Sequence, residues 1–136
     1  MRIIPTLMLT SALLAAGVPA QAKPSESGEQ KLAKALEGRV AGKPVNCINL
    51  RDIRSSRIID RTAIIYETTN NTLYVNRPSG ANFLDSSAAL VTRTSISQLC
   101  NVDIVRLYDT TARMERGSVS LGDFVPYRKV KPASGG

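Results

Sequence analysis

The chain has 136 residues, with 18 Lys and Arg against 11 Asp and Glu, two cysteines and neither histidine nor tryptophan. The lack of histidine excludes Ser-His-Asp and Cys-His catalytic machinery. Two cysteines without histidine are also too few for a structural zinc site, which needs four Cys or His ligands. The composition therefore predicts no metal site and no cofactor.

The first 22 residues have the pattern of a secretory signal peptide. Arg2 gives the positive start, an apolar stretch runs from Leu7 to Val18, and Ala20-Gln21-Ala22 has the small residues that a signal peptidase recognises. The stretch is too short for a membrane-spanning helix, which needs about 20 apolar residues. We expect cleavage after residue 22 and a periplasmic or secreted protein with no transmembrane segment; an uncleaved N-terminal anchor is the alternative.

The chain after residue 22 has the length of one domain. The polar residues 23–29 predict a disordered linker, residues 30–130 a single β-rich domain and residues 131–136 a disordered C-terminal tail. At the start of the domain, Ser27 and Gln30 have the spacing of a capping box, and leucine and alanine follow at helical intervals. This pattern predicts a short helix from about residue 28 to residue 37.

Beyond Pro44 the sequence changes to short runs rich in Val, Ile, Thr and Tyr, which is typical of strands. The turn residues at 68–71 and the segment 109–116 predict two hairpins. The expected fold is mainly β, a small antiparallel sheet or barrel-like domain of about 5–6 strands with one short N-terminal helix. The predicted strands are 45–50, 61–67, 72–76, 102–108 and 117–125, with 89–94 as an optional sixth.

Cys47 and Cys100 are the only cysteines. In an oxidising compartment we expect them to form a disulfide, because they lie in separate segments and not in a CxxC redox motif. Closing a loop of about 54 residues would stabilise the fold by roughly 4 kcal/mol in the chain-entropy treatment. Two buried or reactive thiols are the alternative.

Four arginines recur every three or four residues, which is the spacing of one helix face. They are Arg51, Arg54, Arg57 and Arg61. Such a row would suit the phosphates of nucleic acid, lipopolysaccharide or anionic lipids. The apolar residues between them lack helical phase, so a twisted strand or turn that scatters them into solvent is favoured. They are the candidate anion-binding residues.

The segment Asp109-Thr110-Thr111-Ala112 resembles the Asp-Thr-Gly-Ala of aspartic proteases, in which two carboxylates share a proton. Thr111 stands where that motif has glycine, so a turn that closes a hairpin is the favoured interpretation. A carboxylate-dependent hydrolase is nevertheless an alternative function, with Asp60, Asp103 and Asp109 as its candidate residues. Two of them about 5–10 Å apart in one pocket would support it.

Several stretches of the chain carry a family resemblance. They are Gly38–Val45 with Cys47-Ile48, Ile53–Asp60, Leu73–Pro78, Ser97–Cys100 and Phe124–Tyr127. Over about residues 32–130 the sequence resembles a family of small exported proteins of unknown function from alphaproteobacteria, chiefly sphingomonads. The resemblance implies a bacterial protein with a signal peptide whose two cysteine positions frame the domain. It implies no activity and no functional residue.

These observations predict a non-catalytic periplasmic or secreted module that binds a protein or an anionic envelope component. The missing histidine and the formal charge of +7 support this interpretation. Nucleic acid is the less favoured partner because the chain has few aromatic residues on which bases could stack. The alternatives are the carboxylate-dependent hydrolase and a structural subunit of the envelope.

Overall fold

The computed structural model describes residues 25–130 and, separately, Gly17. Apart from Gly17, the predicted signal peptide lies outside the described residues, as does the predicted C-terminal tail. Of the helices in the described part, none has the length and apolar character needed to cross a membrane.

The helix α1 spans Gly28–Ala35. Ser27 caps it, because its hydroxyl accepts from the backbone N–H of Gln30 at 3.2 Å while the Gln30 side chain accepts from the Ser27 N–H at 2.8 Å. The predicted start at residue 28 is confirmed. The helix ends at Ala35, two residues earlier than predicted and ahead of the left-handed Gly38.

Within residues 25–130, ten strands follow the helix, more than the 5–6 expected, and the prediction of a mainly β fold is confirmed. They are β1 (Arg39–Ala41), β2 (Cys47–Asn49), β3 (Ile53–Ile59), β4 (Ala63–Thr68), β5 (Leu73–Asn76), β6 (Ala89–Thr92), β7 (Gln98–Cys100), β8 (Ile104–Asp109), β9 (Met114–Ser120) and β10 (Phe124–Lys129). Short 3-10 turns lie at Leu50–Asp52 and Ala81–Phe83.

All strand pairs are antiparallel and form three sheets. A five-stranded sheet has the order β1-β10-β5-β4-β3, β2 pairs with β7, and β6-β8-β9 form a three-stranded sheet. Two single bridges, Val45 to Phe124 and Ser79 to Ser120, link these sheets. The predicted hairpins β4–β5 and β8–β9 are confirmed.

The five-stranded sheet is buried on both faces. One face packs against the two smaller sheets around Phe124, Ile64 and Leu107, which are fully buried. The other face is covered by α1, whose Leu32 packs on Ile65 and the residues around it. Alternate residues of a strand point to opposite faces, so Ile64 and Ile65 enter different cores. This placement explains why β4 is a nearly continuous apolar run.

Three of the observed strands were not predicted, and one predicted strand is divided into two strands in the structure. β1 and β7 have three residues each and pair with strands that are far away in the sequence. β3 is rich in Arg and Ser and forms a hairpin with the next strand, β4. The predicted strand 117–125 is interrupted at Leu121–Asp123 between β9 and β10. The chain turns there from one sheet to the other, with Gly122 held by the buried side chain of Asn76.

The predicted disulfide between Cys47 and Cys100 is confirmed. The two residues face each other across β2 and β7, with their Cα atoms 4.0 Å apart. Each of these strands has only three residues, and a two-stranded ribbon of this size is marginal by itself. The disulfide therefore holds the ribbon together and fixes its register.

Candidate functional site

The four candidate arginines follow one border of the five-stranded sheet and do not share a helix face. Arg51 lies in the first 3-10 turn, Arg54 and Arg57 lie on the edge strand β3, and Arg61 lies in the turn after it. All four are exposed. The favoured interpretation, a strand and turns that carry the arginines into solvent, matches this arrangement.

Their side chains do not form one flat patch. Arg54 is the extra residue of a β-bulge and has no partner on β4, whereas Arg57 lies opposite Ile65 on the sheet face that carries α1. Acidic residues accompany the series, because Asp52 follows Arg51 directly and Glu67 lies on the neighbouring strand. The border is therefore only weakly cationic.

The opposite border of the same sheet is more strongly cationic. It carries four basic residues, which we call the basic edge: Arg39, Lys43, Arg128 and Lys129. No acidic residue occurs in 38–51 or in 124–130. The pairing of β1 with β10 brings these two acid-free segments together, although they are far apart in the sequence. This surface was not predicted from the sequence, where its signal is two segments that each hold Lys and Arg without Asp or Glu.

Within the basic edge, Arg39 lies directly opposite Lys129. Like charges that face each other across a strand pair destabilise it. The Arg39 guanidinium donates to the backbone carbonyls of Asn71 at 2.6 Å and Tyr127 at 3.1 Å. These bonds hold its position without neutralising its charge.

Arg128 extends back over β1. A Cβ atom added at Gly42 would lie 3.5 Å from its Nη1 atom. The Arg128 guanidinium therefore lies beside Gly42, the residue that precedes Lys43. Arg128 and Lys129 point to opposite faces of the strand, so both faces of the sheet carry positive charge at this border.

The three candidate carboxylates lie in three different turns. Asp60 accepts from the backbone N–H of Ser86 at 2.6 Å. Asp103 accepts from the backbone N–H of Cys100 at 2.7 Å. Each of these bonds closes a local turn or ties two loops together, and the two residues line separate surface pockets.

Asp109 caps the β8–β9 turn by accepting from the backbone N–H groups of Thr111 and Ala112, both at 2.9 Å. This is the turn that the sequence favoured over a protease motif. The Ala112 and Thr111 hydrogen bonds, with help from Arg116, hold the pKa of Asp109 below its ordinary value. No group of three or more Cys, Asp or Glu side chains suited to a metal ion occurs within residues 25–130.

Arg116 connects this turn to the loop before β6. Its Nη1 atom lies 3.4 Å from a carboxylate oxygen of Asp85 and 3.6 Å from one of Asp109. The pKa of Asp85 is lowered, first by hydrogen bonds from Ser87 and then by the nearby arginines. The arrangement is a structural ion-pair network.

Comparison with family models, with curated proteins and with solved structures finds no match to this chain. We therefore infer the function from the geometry of the chain itself.

Proposed function

We propose that this protein is a non-catalytic, exported binding module whose basic edge takes an anionic component of the cell envelope. The observation that carries the proposal is the pairing of β1 with β10, which sets Arg39 against Lys129 with no acidic residue in either segment. Two facing cations repel each other in the free protein. A bound phosphate, sulfate or carboxylate group would offset that repulsion. Relief of the repulsion would therefore add to the free energy of binding.

The disulfide supports the exported location. Disulfides persist in oxidising compartments, and Cys47–Cys100 is fully formed across β2 and β7. The signal-peptide pattern of residues 1–22 and the family resemblance agree with a periplasmic or secreted protein. Asp103 and Asp109 cap turns and Asp60 ties two loops together, so each of the three candidate carboxylates has a structural role that does not support the hydrolase.

The test compares two triple variants that each remove three positive charges. The first, Lys43→Ala/Arg128→Ala/Lys129→Ala, removes most of the basic edge. The matched control, Arg51→Ala/Arg54→Ala/Arg57→Ala, removes the arginines of the other border. Both are applied to immobilised heparin, and the salt concentration needed for elution is measured.

We expect the basic-edge variant to elute at clearly lower salt than the control. Equal shifts would mean that net charge alone determines retention and would overturn the assignment to the basic edge. A larger shift in the control would return the site to the arginine series. Co-sedimentation with phosphatidylglycerol vesicles then separates a lipid source of the anion from a glycan source. If the protein is not retained at all, the structural subunit becomes the better interpretation.

A further inference from the structure

A polar pocket opens between the β2–β7 ribbon and the β4–β5 hairpin, with a volume of about 410 Å³. This volume is within the range of small-molecule sites. Its lining contains one carboxylate and no basic side chain; the other polar groups are amides and hydroxyls. The lining therefore does not suit an anion, so the pocket differs in chemistry from the basic edge.

One wall is a row of exposed polar side chains. Asn49 lies opposite Gln98 in the β2–β7 ribbon. The Gln98 amide donates to Asn49 Oδ1 at 3.4 Å, and the Asn49 amide donates to Asp52 Oδ2, also at 3.4 Å. Bonds of this length are at the weak limit of hydrogen bonding. The three groups are therefore aligned with each other and can exchange these bonds for stronger ones with a ligand.

The opposite wall is the turn of the β4–β5 hairpin. The Oδ1 atom of Asn70 accepts from the Thr68 hydroxyl at 2.5 Å and from the backbone N–H of Thr72 at 3.3 Å. Thr68 and Thr72 are buried, so the Asn70 side chain is held in one orientation. An amide fixed by its oxygen keeps its two N–H donors for other partners.

The floor is apolar and aromatic. The half-buried Tyr74 packs against the main core, and the exposed Val45 lines the same pocket. Tyr66 lies directly opposite Tyr74 on the neighbouring strand, and its buried hydroxyl has no hydrogen-bond partner within the described residues. A ligand on this floor would contact a ring and an aliphatic side chain below and polar groups on both sides.

We propose that this pocket binds a neutral, polyhydroxylated ring, that is, one sugar unit of a glycan. A planar amide can donate and accept at once, and a carboxylate can accept from two adjacent hydroxyl groups, as a sugar ring presents them. The C–H face of the ring would pack on Tyr74 and Val45. The disulfide supports this role, because Cys47 precedes Asn49 by two residues on the same strand face and fixes the wall.

The proposal does not depend on the basic edge, so the two can fail separately. The test is a titration of the ¹⁵N-labelled protein, residues 23–136, with chitotriose and with maltotriose up to about 20 mM, a range that detects millimolar dissociation constants. We expect one trisaccharide to shift amide signals of the pocket lining. No shift with either sugar would overturn the proposal.

The site variant is Asn49→Ala/Gln98→Ala, which removes two exposed side chains, and the matched control is Asn82→Ala, an exposed amide in the second 3-10 turn. We expect the affinity to fall about tenfold or more in the site variant and to stay unchanged in the control. Asp52→Asn, which keeps the shape of the side chain, is the second variant if the first is unstable. Wild-type affinity in both site variants would show that the sugar binds elsewhere. The basic-edge triple variant should titrate like the wild type.

Discussion

The side chain of Asn76 binds both backbone polar groups of Gly122. Its Nδ2 atom donates to the Gly122 carbonyl at 2.6 Å, and its Oδ1 accepts from the Gly122 N–H at 2.9 Å. Asn76 is fully buried at the end of β5. The pair replaces the strand hydrogen bonds that are missing between β9 and β10, where the chain passes from one sheet to the other.

Replacing Asn76 with Ala should therefore lower the free energy of unfolding by roughly 2–4 kcal/mol, because two backbone groups lose their partner inside the protein. Gly122→Ala should also destabilise, since the new Cβ would lie 2.9 Å from the Arg77 carbonyl oxygen. Urea denaturation measures both changes, with Asn82→Ala as the control. A stability loss below about 0.5 kcal/mol for Asn76→Ala would contradict the role of this clamp.

The disulfide should carry a large share of the stability. Reduction, or the Cys47→Ala/Cys100→Ala variant, is expected to lower the free energy of unfolding by about 4 kcal/mol, because the unfolded chain gains the freedom of the opened loop. Denaturation with and without reductant measures this loss, and the double variant should no longer respond to reductant. An equal response to reductant in the wild type and the variant would mean that the effect does not come from this bond.

Tyr66→Phe should leave the stability unchanged or raise it by about 1 kcal/mol. The hydroxyl of Tyr66 is buried without a partner among the described residues, and the ring packs on Phe124 with the centroids 5.9 Å apart. Removing an unsatisfied polar atom while keeping the ring removes a desolvation cost. The same burial raises the pKa of Tyr66 well above its ordinary value, so the phenol stays neutral. Thermal denaturation measures the change, and a clear loss of stability would show that the hydroxyl makes a favourable contact.

Acid should weaken the ion-pair network around Arg116. The pKa values of Asp85 and Asp109 are lowered from the ordinary 3.8 in the folded protein. Such groups stabilise the fold above their unfolded pKa, and this stabilisation is lost as the pH falls through the folded values. We therefore expect the urea concentration at the unfolding midpoint to decrease when the pH is lowered below about 4. The decrease should be smaller in Asp85→Asn and in Asp109→Asn. Identical acid profiles in the wild type and both variants would contradict the network.

Lys129→Glu should separate stability from binding. It converts the facing cations of β1 and β10 into an opposite-charge pair with Arg39, which should stabilise the free protein by roughly 0.2–1 kcal/mol. The same change should weaken heparin retention more than Lys129→Ala does, because it also adds a negative charge. If Lys129→Glu were retained as strongly as Lys129→Ala, the basic edge would not be the binding surface.

Several features could be predicted because they depend on nearby residues. Ser27 and Gln30 cap α1 through a contact three residues apart, and the β-branched run in β4 reads as strand by itself. Asp109 marks its turn because it bonds to N–H groups two and three residues later. In each case the interacting residues lie close together in the sequence, so the local pattern was sufficient to predict the feature.

The remaining features depend on distant partners. β1 has only three residues and becomes a strand because β10, about ninety residues later, supplies its hydrogen bonds. β7 exists as the partner of β2, which lies about fifty residues earlier in the chain. The break at Gly122 requires Asn76, from another strand. Local propensity carries no information about these pairings, because strand hydrogen bonds form between segments that the sequence leaves far apart.

Composition alone determined that histidine chemistry is excluded and that Cys47 can pair only with Cys100 within the chain, and the order of β-branched runs and turn residues determined that the fold is mainly β. Tertiary structure alone decided where the positive charge concentrates. The arginines that are close in sequence are spread along one border with acidic neighbours, while Arg39 and Lys129 meet at the other. Sheet order determines which charges become neighbours, since antiparallel pairing joins segments regardless of their separation along the chain.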